Sequence, residues 1–319
     1  MTDSLLGVAV LVVLALAGGW LSMRAVRGSR PWIRWIGGAL SILLTVLLAA
    51  LALFGAIGTV RLFRTHQVAV PDVKAGGGPE VIARGEHIAQ VLCASCHSED
   101  GDLPMSGGGN LSAETGMPLG DIYGPNLTPG GDIRDWTDAD LFRVIRTGVD
   151  DEGRGTAMAA VLGPQALSDD DTLAVIAYLR QSPALEYETP PFRPTVLMAL
   201  LAGFGFVPTS APDAVSEVLA PSPGVTLEYG AYVAAFMDCG GCHGEKFDGN
   251  VAPPAPAGPN LKAAFAGWTE DEFISEVREH AAAPEEGEIM PWKALSQLDE
   301  LEIRALYAYM RDQLIKPAE

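Results

Sequence analysis

Cysteine is scarce in this chain of 319 residues, and its scarcity restricts the chemistry that thiols can perform here. All four cysteines lie in two Cys-x-x-Cys-His motifs, Cys93-Ala-Ser-Cys96-His97 and Cys239-Gly-Gly-Cys242-His243. The sequence therefore excludes a structural disulfide or a separate reactive thiol outside these two motifs.

Basic residues are also few, since 21 Lys and Arg stand against 40 Asp and Glu and give a net charge of −19. Residues 1–79 carry seven basic and two acidic side chains, whereas residues 80–319 carry 14 basic and 38 acidic ones. Such an acidic region excludes nucleic acid as a partner, because phosphates require positive charge. It favours a soluble basic protein that is attracted by charge.

Charge is absent from two long apolar runs, residues 5–23 and residues 36–60. Each run has about the 20 residues that a helix needs to cross a hydrocarbon core of roughly 30 Å. Only Asp3 precedes the first run as a charged residue, and no clear cleavage site follows it. We therefore expect a retained helix rather than a removed signal peptide. The sequence thus predicts a two-helix anchor in a lipid bilayer.

The loop between the two runs indicates their orientation. It contains four basic residues and no acidic one: Arg24, Arg27, Arg30 and Arg34. Arginine-rich loops stay on the cytoplasmic side of a membrane, so the N-terminus and everything after Val60 are expected on the outer face.

Three phrases of the acidic region occur twice, which predicts two tandem domains of one fold. The pairs are Gly124-Pro-Asn-Leu127 and Gly258-Pro-Asn-Leu261, Trp136-Thr-Asp and Trp268-Thr-Glu, and Ala177-Tyr-Leu-Arg180 and Ala308-Tyr-Met-Arg311. Their offsets are 134, 132 and 131 residues, whereas the cysteine motifs are 146 residues apart. The first repeat therefore has an insertion after its motif, in residues 101–120.

The composition divides the chain into five segments. They are a two-helix transmembrane anchor (1–65), a linker (66–79), a first domain (80–183), a Pro-rich connector (184–226) and a second domain (227–319). The expected fold class is all-α, because helical periodicity and caps recur and strand alternation does not. The expected helices of the two domains cover residues 79–92, 137–146, 168–180, 269–280 and 296–314.

One apolar segment of the connector, residues 195–207, is too short to span a membrane. We favour a helix that packs between the two domains. The alternative is a segment that lies on the outer membrane surface.

The Cys-x-x-Cys-His motif has a specific chemistry. Its two thiols add to the two vinyl groups of haem, and the adjacent histidine binds the iron. A zinc site would need four ligands, and each repeat offers two cysteines and one histidine. A dithiol redox site would need a strand followed by a helix. The sequence therefore predicts two covalently bound haem c groups, attached at Cys93 and Cys96 and at Cys239 and Cys242.

The iron ligands follow from the repeat. His97 and His243 are the expected proximal ligands, while Met158 and Met290 each lie 22 residues after the repeated tryptophan. A thioether is a neutral, soft ligand, so His/Met ligation raises the reduction potential of haem. The competing distal candidates in the sequence are Met105 and Met117 in the insertion, and His87 and His280, which we consider weaker.

A repeated proline suggests what holds each histidine. Pro125 and Pro259 lie in the two Gly-Pro-Asn-Leu loops. A ligating imidazole usually donates its second N–H to a carbonyl, and a carbonyl of this loop is a candidate acceptor. The alternative is an ordinary turn.

Taken together, both repeats resemble class I cytochrome c domains. They share a helix before Cys-x-x-Cys-His, a Gly-Pro-Asn-Leu loop, a distal methionine and a terminal helix with tyrosine. Arg84-Gly-Glu-His87 and Asn126-Leu-Thr-Pro129 resemble dihaem cytochromes that accompany membrane dehydrogenases and respiratory complexes. The plan is also similar to the dihaem subunit of cbb-type haem–copper oxidases, although the loop between the helices lacks that subunit's acidic, Pro-rich stretch. Ala159 also stands where the family usually has proline.

The resemblance implies an electron-transfer subunit rather than an enzyme. It would relay single electrons between a respiratory or photosynthetic donor complex and an oxidase or soluble carrier. Haem attachment on the outer face of bacterial membranes places the protein in the inner (cytoplasmic) membrane, as a multi-pass protein with periplasmic haem domains. The alternatives are a dihaem peroxidase, which needs an open haem, and a sensor or assembly subunit.

Overall fold

The computed structural model describes residues 2–160, 162–249, 258–283 and 290–315. Its helices are α1 (Thr2–Val26), α2 (Gly38–Leu62), α3 (Pro79–Ile88), α4 (Ala94–His97), α5 (Leu111–Thr115), α6 (Asp138–Thr147), α7 (Leu162–Gln165), α8 (Asp169–Gln181), α9 (Val196–Phe204), α10 (Leu227–Phe236), α11 (Cys239–His243), α12 (Lys262–Gly267), α13 (Glu270–Ala282), α14 (Trp292–Ser296) and α15 (Glu300–Ile315). Further elements are π-helical turns at Ile33–Gly37 and Ala89–Cys93, a 3-10 turn at Ala157–Ala160, and strands β1 (Gly120–Asp121) and β2 (Arg193–Pro194). The expected all-α class is confirmed, since the strands form only one two-residue antiparallel pair within the described part of the chain.

The first two helices form an apolar hairpin. Both are long and apolar enough to cross a membrane, and most of their side chains point outward rather than into a protein core. Small residues let the two backbones approach closely: a Cβ at Gly18 would lie 2.7 Å from Oγ1 of Thr45. Oγ of Ser22 also donates a hydrogen bond to the Gly18 carbonyl at 2.8 Å. Small residues at the contact, and hydroxyl groups that form hydrogen bonds within the helices, are typical of helix pairs in lipid.

Helix α9 packs on this hairpin, against α2 and α1. The approach is close, because a Cβ at Gly58 would overlap the Ala199 carbonyl. Nη1 of Arg61 donates to the carbonyls of Ala202 and Gly203, each at 3.0 Å, and so caps the C-terminal end of α9. The favoured interpretation, a helix between the two domains, is therefore wrong. Residues 195–207 are rich in Leu, Ala and Gly because they contact the hairpin.

Each repeat is built around a crossed helix pair, α3 with α8 and α10 with α15. A glycine at each crossing lets the helices touch. A Cβ at Gly85 would overlap the Ala174 carbonyl, and a Cβ at Gly230 would overlap the Ala305 carbonyl. These matched contacts align Gly85 with Gly230 and Ala174 with Ala305, so the two repeats share one packing arrangement.

Local caps fix most helix starts near the expected positions. Thr137 and Asp140 form a capping box on α6, and Thr269 and Glu272 form one on α13. The expected start of the last helix was wrong, because Ser296 ends the short helix α14. Helix α15 begins later, where the carboxylate of Asp299 accepts the N–H of Glu302 at 2.8 Å.

The two repeats meet through a polar cluster that we call the clasp, formed by Arg84, His87, Asp171, Tyr232 and Glu302. Nε2 of His87 lies 2.7 Å from Oε2 of Glu302, and the Tyr232 hydroxyl donates to Asp171 at 2.7 Å. Arg84 joins both carboxylates, with two hydrogen bonds of 2.9 Å to Asp171 and one of 2.6 Å to Glu302. A fully buried carboxylate such as Glu302 needs these partners to offset the loss of water.

A second link between the repeats lies beside the first cysteine motif. Nζ of Lys293 donates to the Asp100 carbonyl at 2.6 Å and forms an ion pair with Asp102 at 3.0 Å. Helix α14, which carries Lys293, packs on the π-helical turn Ala89–Cys93. The segment after Met290 therefore lies against the motif of the first repeat.

Candidate functional site

The two cysteine motifs adopt short helical turns. Cys93 ends the π-helical turn, Cys96 and His97 lie in α4, and Cys239–His243 forms α11. The His97 and His243 residues are 6% and 7% exposed. Both motifs thus present two thiols beside an imidazole that is shielded from water.

Each imidazole is held by the carbonyl predicted from the repeated loop. Nδ1 of His97 lies 2.9 Å from the Pro125 oxygen, and Nδ1 of His243 lies 2.9 Å from the Pro259 oxygen. A carbonyl only accepts, so Nδ1 carries the proton in both rings and Nε2 keeps a lone pair for a metal. Burial also lowers the pKa of His97, against the opposing effects of the Pro125 carbonyl and the Asp132 carboxylate. The neutral imidazole is the form that binds iron.

The loops approach the motifs in the same way in both repeats. A Cβ at Gly124 would overlap the Cys96 carbonyl, and a Cβ at Gly258 would overlap the Cys242 carbonyl. A second loop segment in each repeat also contacts the motif. The N–H of Gly107 donates to the His97 carbonyl, and the N–H of Gly249 donates to the His243 carbonyl, both at 2.9 Å. Glycine is required at Gly124 and Gly258 because no side chain fits there against the motif backbone.

The insertion explains the methionines that compete with Met158. Leu127 donates its N–H to the Met105 carbonyl at 2.9 Å, and Leu261 donates to the Phe247 carbonyl at 3.0 Å. Met105 is 2% exposed and Phe247 is 3% exposed, so Met105 fills the core position that phenylalanine takes in the other repeat. Met117 is 45% exposed on the insertion. Neither Met105 nor Met117 lies at the position in the first repeat that is equivalent to Met290 in the second.

Met158 and Met290 are partly buried at matched places in their repeats. The N–H of Met158 donates to Oγ1 of Thr156 at 3.2 Å, at the start of the 3-10 turn. Met290 packs against the core, and its carbonyl accepts the N–H of Trp292 at 2.8 Å. Their role as distal ligands stays a prediction.

The two other histidine candidates have different partners. His87 belongs to the clasp. His280 stacks on Trp292 with ring centroids 4.6 Å apart, and its Nδ1 donates to the Glu276 carbonyl at 2.9 Å. Both rings therefore have structural roles in packing and ion pairing.

Two of the thiols, those of Cys93 and Cys239, are buried. Burial raises the pKa of Cys93 and of Cys239 to about 12. Addition of a thiol to a vinyl group places sulfur on one carbon and hydrogen on the other, so the protonated form carries both atoms. Two thiols beside an imidazole with a free Nε2 fit haem c in each repeat.

Sequence reasoning missed the residues around the first histidine loop. The N–H of Asn126 donates to Oδ2 of Asp132 at 2.9 Å, and the Thr189 hydroxyl donates to the same oxygen at 2.5 Å. The side-chain amide of Asn126, through Nδ2, also donates to the Leu185 carbonyl at 2.8 Å. The connector therefore closes over this loop, and within the described part of the chain these contacts occur in the first repeat alone, so the repeat could not reveal them.

Comparison with known families agrees with this geometry. Residues 80–179 match the family Cytochrome C oxidase, cbb3-type, subunit III, and residues 227–313 match the family Cytochrome c. The fold and site thus define tandem cytochrome c domains. With two such domains behind two apolar helices, the chain is a dihaem cytochrome c.

Two curated proteins are similar to part of the chain. The gluconate 2-dehydrogenase cytochrome c subunit of Pantoea cypripedii is 34% identical over 103 residues, which is 31% of this chain and 22% of that protein. The fructose dehydrogenase cytochrome subunit of Gluconobacter japonicus is 34% identical over 115 residues, which is 32% of this chain and 22% of that protein. The match spans about a fifth of each relative.

Proposed function

We propose that this protein relays single electrons through two covalently bound haem c groups on the outer face of a bacterial inner membrane. The observation that carries the proposal is the identical histidine geometry of the repeats. Both imidazoles are buried, both donate Nδ1–H to a loop proline carbonyl at 2.9 Å, and both follow a pair of thiols.

The ligand sets are assigned by repeat. Cys93, Cys96 and His97 hold the first haem, with Met158 as distal ligand. Cys239, Cys242 and His243 hold the second, with Met290. When bound, haem c with His/Met ligation supplies a one-electron couple of raised potential. With Met158 and Met290 as ligands, neither iron would keep an open position for peroxide, which favours this function over a dihaem peroxidase.

The contact between repeats supports transfer from one haem to the other. Helix α14 follows Met290 directly and packs on the turn that carries Cys93. Lys293 fastens it to Asp100 and Asp102, which follow His97 closely in the chain. The distal segment of the second site therefore lies against the attachment segment of the first.

Partners are proposed from charge and from the relatives. The two similar proteins are cytochrome subunits of dehydrogenases, so a membrane dehydrogenase or respiratory complex is the proposed donor. The strongly acidic residues 80–319 suit an acceptor with a basic docking face, either an oxidase subunit or a soluble carrier. The apolar hairpin α1–α2 and helix α9 would hold the haem domains at the bilayer.

The test is expression of the full chain in a bacterial host with c-type haem maturation. Peptide mass analysis should show haem on both motif peptides, and redox titration should show two low-spin haems that each take up one electron. Addition of hydrogen peroxide should produce no turnover. A high-spin haem that reduces peroxide would indicate the peroxidase instead, and haems that do not cycle would exclude the relay.

A further inference from the structure

One peptide group links a carboxylate to the first proximal histidine. The carbonyl of the peptide between Pro125 and Asn126 accepts Nδ1–H of His97 at 2.9 Å. The N–H of the same peptide donates to Oδ2 of Asp132 at 2.9 Å. Asp132 and His97 therefore lie at the two ends of a single polarisable unit.

Hydrogen bonds in series strengthen one another. A negative charge on the N–H side of a peptide increases the partial negative charge on its carbonyl oxygen. A stronger acceptor withdraws the Nδ1 proton further and makes the imidazole a more electron-donating ligand. A more donating ligand stabilises Fe(III) relative to Fe(II), so the reduction potential falls.

Among the described residues of the second repeat, no carboxylate is seen to accept the N–H of Asn260, which is the counterpart of Asn126. Pro259 accepts from His243 at the same distance, but the segment from Leu261 to Trp268 is two residues shorter than the segment from Leu127 to Trp136, which contains Asp132. The sequence has no acidic residue between Asp248 and Glu270. Lys262, exposed, occupies the place of Thr128. Both histidines thus donate to a proline carbonyl, but only for His97 is a carboxylate seen on the N–H side of the accepting peptide.

We propose that Asp132 acts through the Pro125–Asn126 peptide to lower the reduction potential of the first haem relative to the same site without this carboxylate. The proposal rests on the proposed relay function and names a residue that tunes it. Asp132 contacts neither the His97 ring nor the place of the iron. It is therefore a positioning residue, which acts on the charge of the His97 ring through the peptide. Thr189 moderates the effect, because its hydroxyl donates to the same Oδ2 at 2.5 Å and its Oγ1 also accepts the Asn126 N–H at 3.1 Å.

Other charges lie near the two sites. Arg134 is close to Asp132 in the chain but donates to the Gly130 carbonyl at 2.7 Å. At the second motif, Asp238 directly precedes Cys239. Burial, and then the charge of Asp238, raise the pKa of Cys239 and Cys242. Asp238 thus supplies a comparison carboxylate next to the second motif.

The experiment is a spectroelectrochemical titration of the full-length haem-loaded protein in lipid nanodiscs. Asp132→Asn should raise the ferrous-to-ferric ratio of one haem several-fold at a fixed ambient potential, where a tenfold rise corresponds to about 59 mV for one electron. Asp238→Asn should shift the other haem. Asp135→Asn, with the same charge change three residues from Asp132, should shift neither, and Asp132→Glu should restore the wild-type value.

The outcomes separate this proposal from the relay itself. If Asp132→Asn shifts neither haem beyond the Asp135→Asn control, or shifts both equally, the peptide link is wrong while two cycling haems leave the relay intact. If the wild-type haems do not cycle, the relay fails. Should Asp132→Asn lose its low-spin spectrum, Thr189→Ala provides the test. It keeps the carboxylate but removes a donor, and should lower the same potential; no shift would overturn the proposal.

Discussion

At the scale of single residues, Met158 and Met290 complete the two proposed ligand sets. Each lies 21 residues after the threonine that caps a helix, Thr137 of α6 or Thr269 of α13, and both are partly buried. Met105, by contrast, is 2% exposed in a core position. We therefore expect substitution of a ligand methionine and substitution of a core methionine to have different effects.

We expect Met158→Ala and Met290→Ala each to convert one of the two haems from low-spin to high-spin and to lower its potential, because the thioether ligand is lost. Electron paramagnetic resonance and absorption spectra of the haem-loaded protein measure this change. Met105→Ala is the control: it should leave both haems low-spin and cost about 2–5 kcal/mol of unfolding free energy as a buried cavity. Two low-spin haems in Met158→Ala would assign the first distal ligand to another residue.

The histidine environment was only partly predictable. The sequence offered the Gly-Pro-Asn-Leu loop as a source of the acceptor carbonyl because this loop occurs twice, and a repeated loop beside a repeated ligand indicates a shared contact. Which carbonyl of the loop accepts was learned only from the structure. Asp132 was not found, because its contact with Asn126 depends on a turn within the first repeat, and Thr189 joins it from the connector. Long-range contacts present in only one repeat leave no periodic signal.

At the scale of helices, local chemistry predicted the starts that depend on a few adjacent residues. Thr137 and Thr269 cap α6 and α13 as expected, because a capping box needs only four residues. The start of α15 was misplaced, since Ser296 and Asp299 are both good caps, and the helix begins at the reciprocal hydrogen bonds between Asp299 and Glu302. The position of α9 was also missed, because apolar composition alone does not tell a protein interior from a membrane hairpin.

The contact between α9 and the hairpin gives an element-scale prediction. A Cβ at Gly58 would overlap the Ala199 carbonyl, so Gly58→Ala should separate α9 from α2, although alanine itself favours a helix by about 1 kcal/mol. We expect faster hydrogen exchange of the backbone amides of Val196–Phe204 in lipid nanodiscs.

Gly19→Ala is the matched control for this experiment. A Cβ at Gly19 would lie 3.8 Å from Cγ2 of Thr45, which is an ordinary contact, so exchange in α9 should remain at the wild-type rate. Equal exchange in both variants would show that α9 does not depend on close packing against α2.

At the scale of the whole molecule, the clasp joins the repeats reciprocally. His87 on α3 binds Glu302 of the second repeat, and Tyr232 on α10 binds Asp171 of the first. The paired residues occupy equivalent places, two residues after the crossing glycines and at the third position of the terminal helices. Arg84 binds both carboxylates. Duplicated domains thus meet through duplicated positions, as subunits of a symmetric dimer do.

The clasp predicts a pH dependence of stability. Burial raises the pKa of Glu302, but His87 and Arg84 outweigh it and lower that pKa from 4.5 to about 2. A carboxyl with a lowered folded-state pKa stabilises the protein above its unfolded pKa, and this contribution is lost as pH falls from 4.5 towards 2. Glu302→Gln should therefore lower the unfolding free energy at pH 7 by about 1–3 kcal/mol, since it leaves buried partners unsatisfied.

Denaturation of the haem-loaded protein across pH measures this difference. The gap between wild type and Glu302→Gln should narrow as pH falls below 4.5, because protonation of Glu302 gives the wild type a neutral side chain as well. Glu300→Gln is the control: its carboxylate pairs with Arg304 but is 71% exposed, so its loss should cost less than about 1 kcal/mol. A gap that stayed constant from pH 7 to pH 3 would mean that the charge of Glu302 does not hold the two domains together.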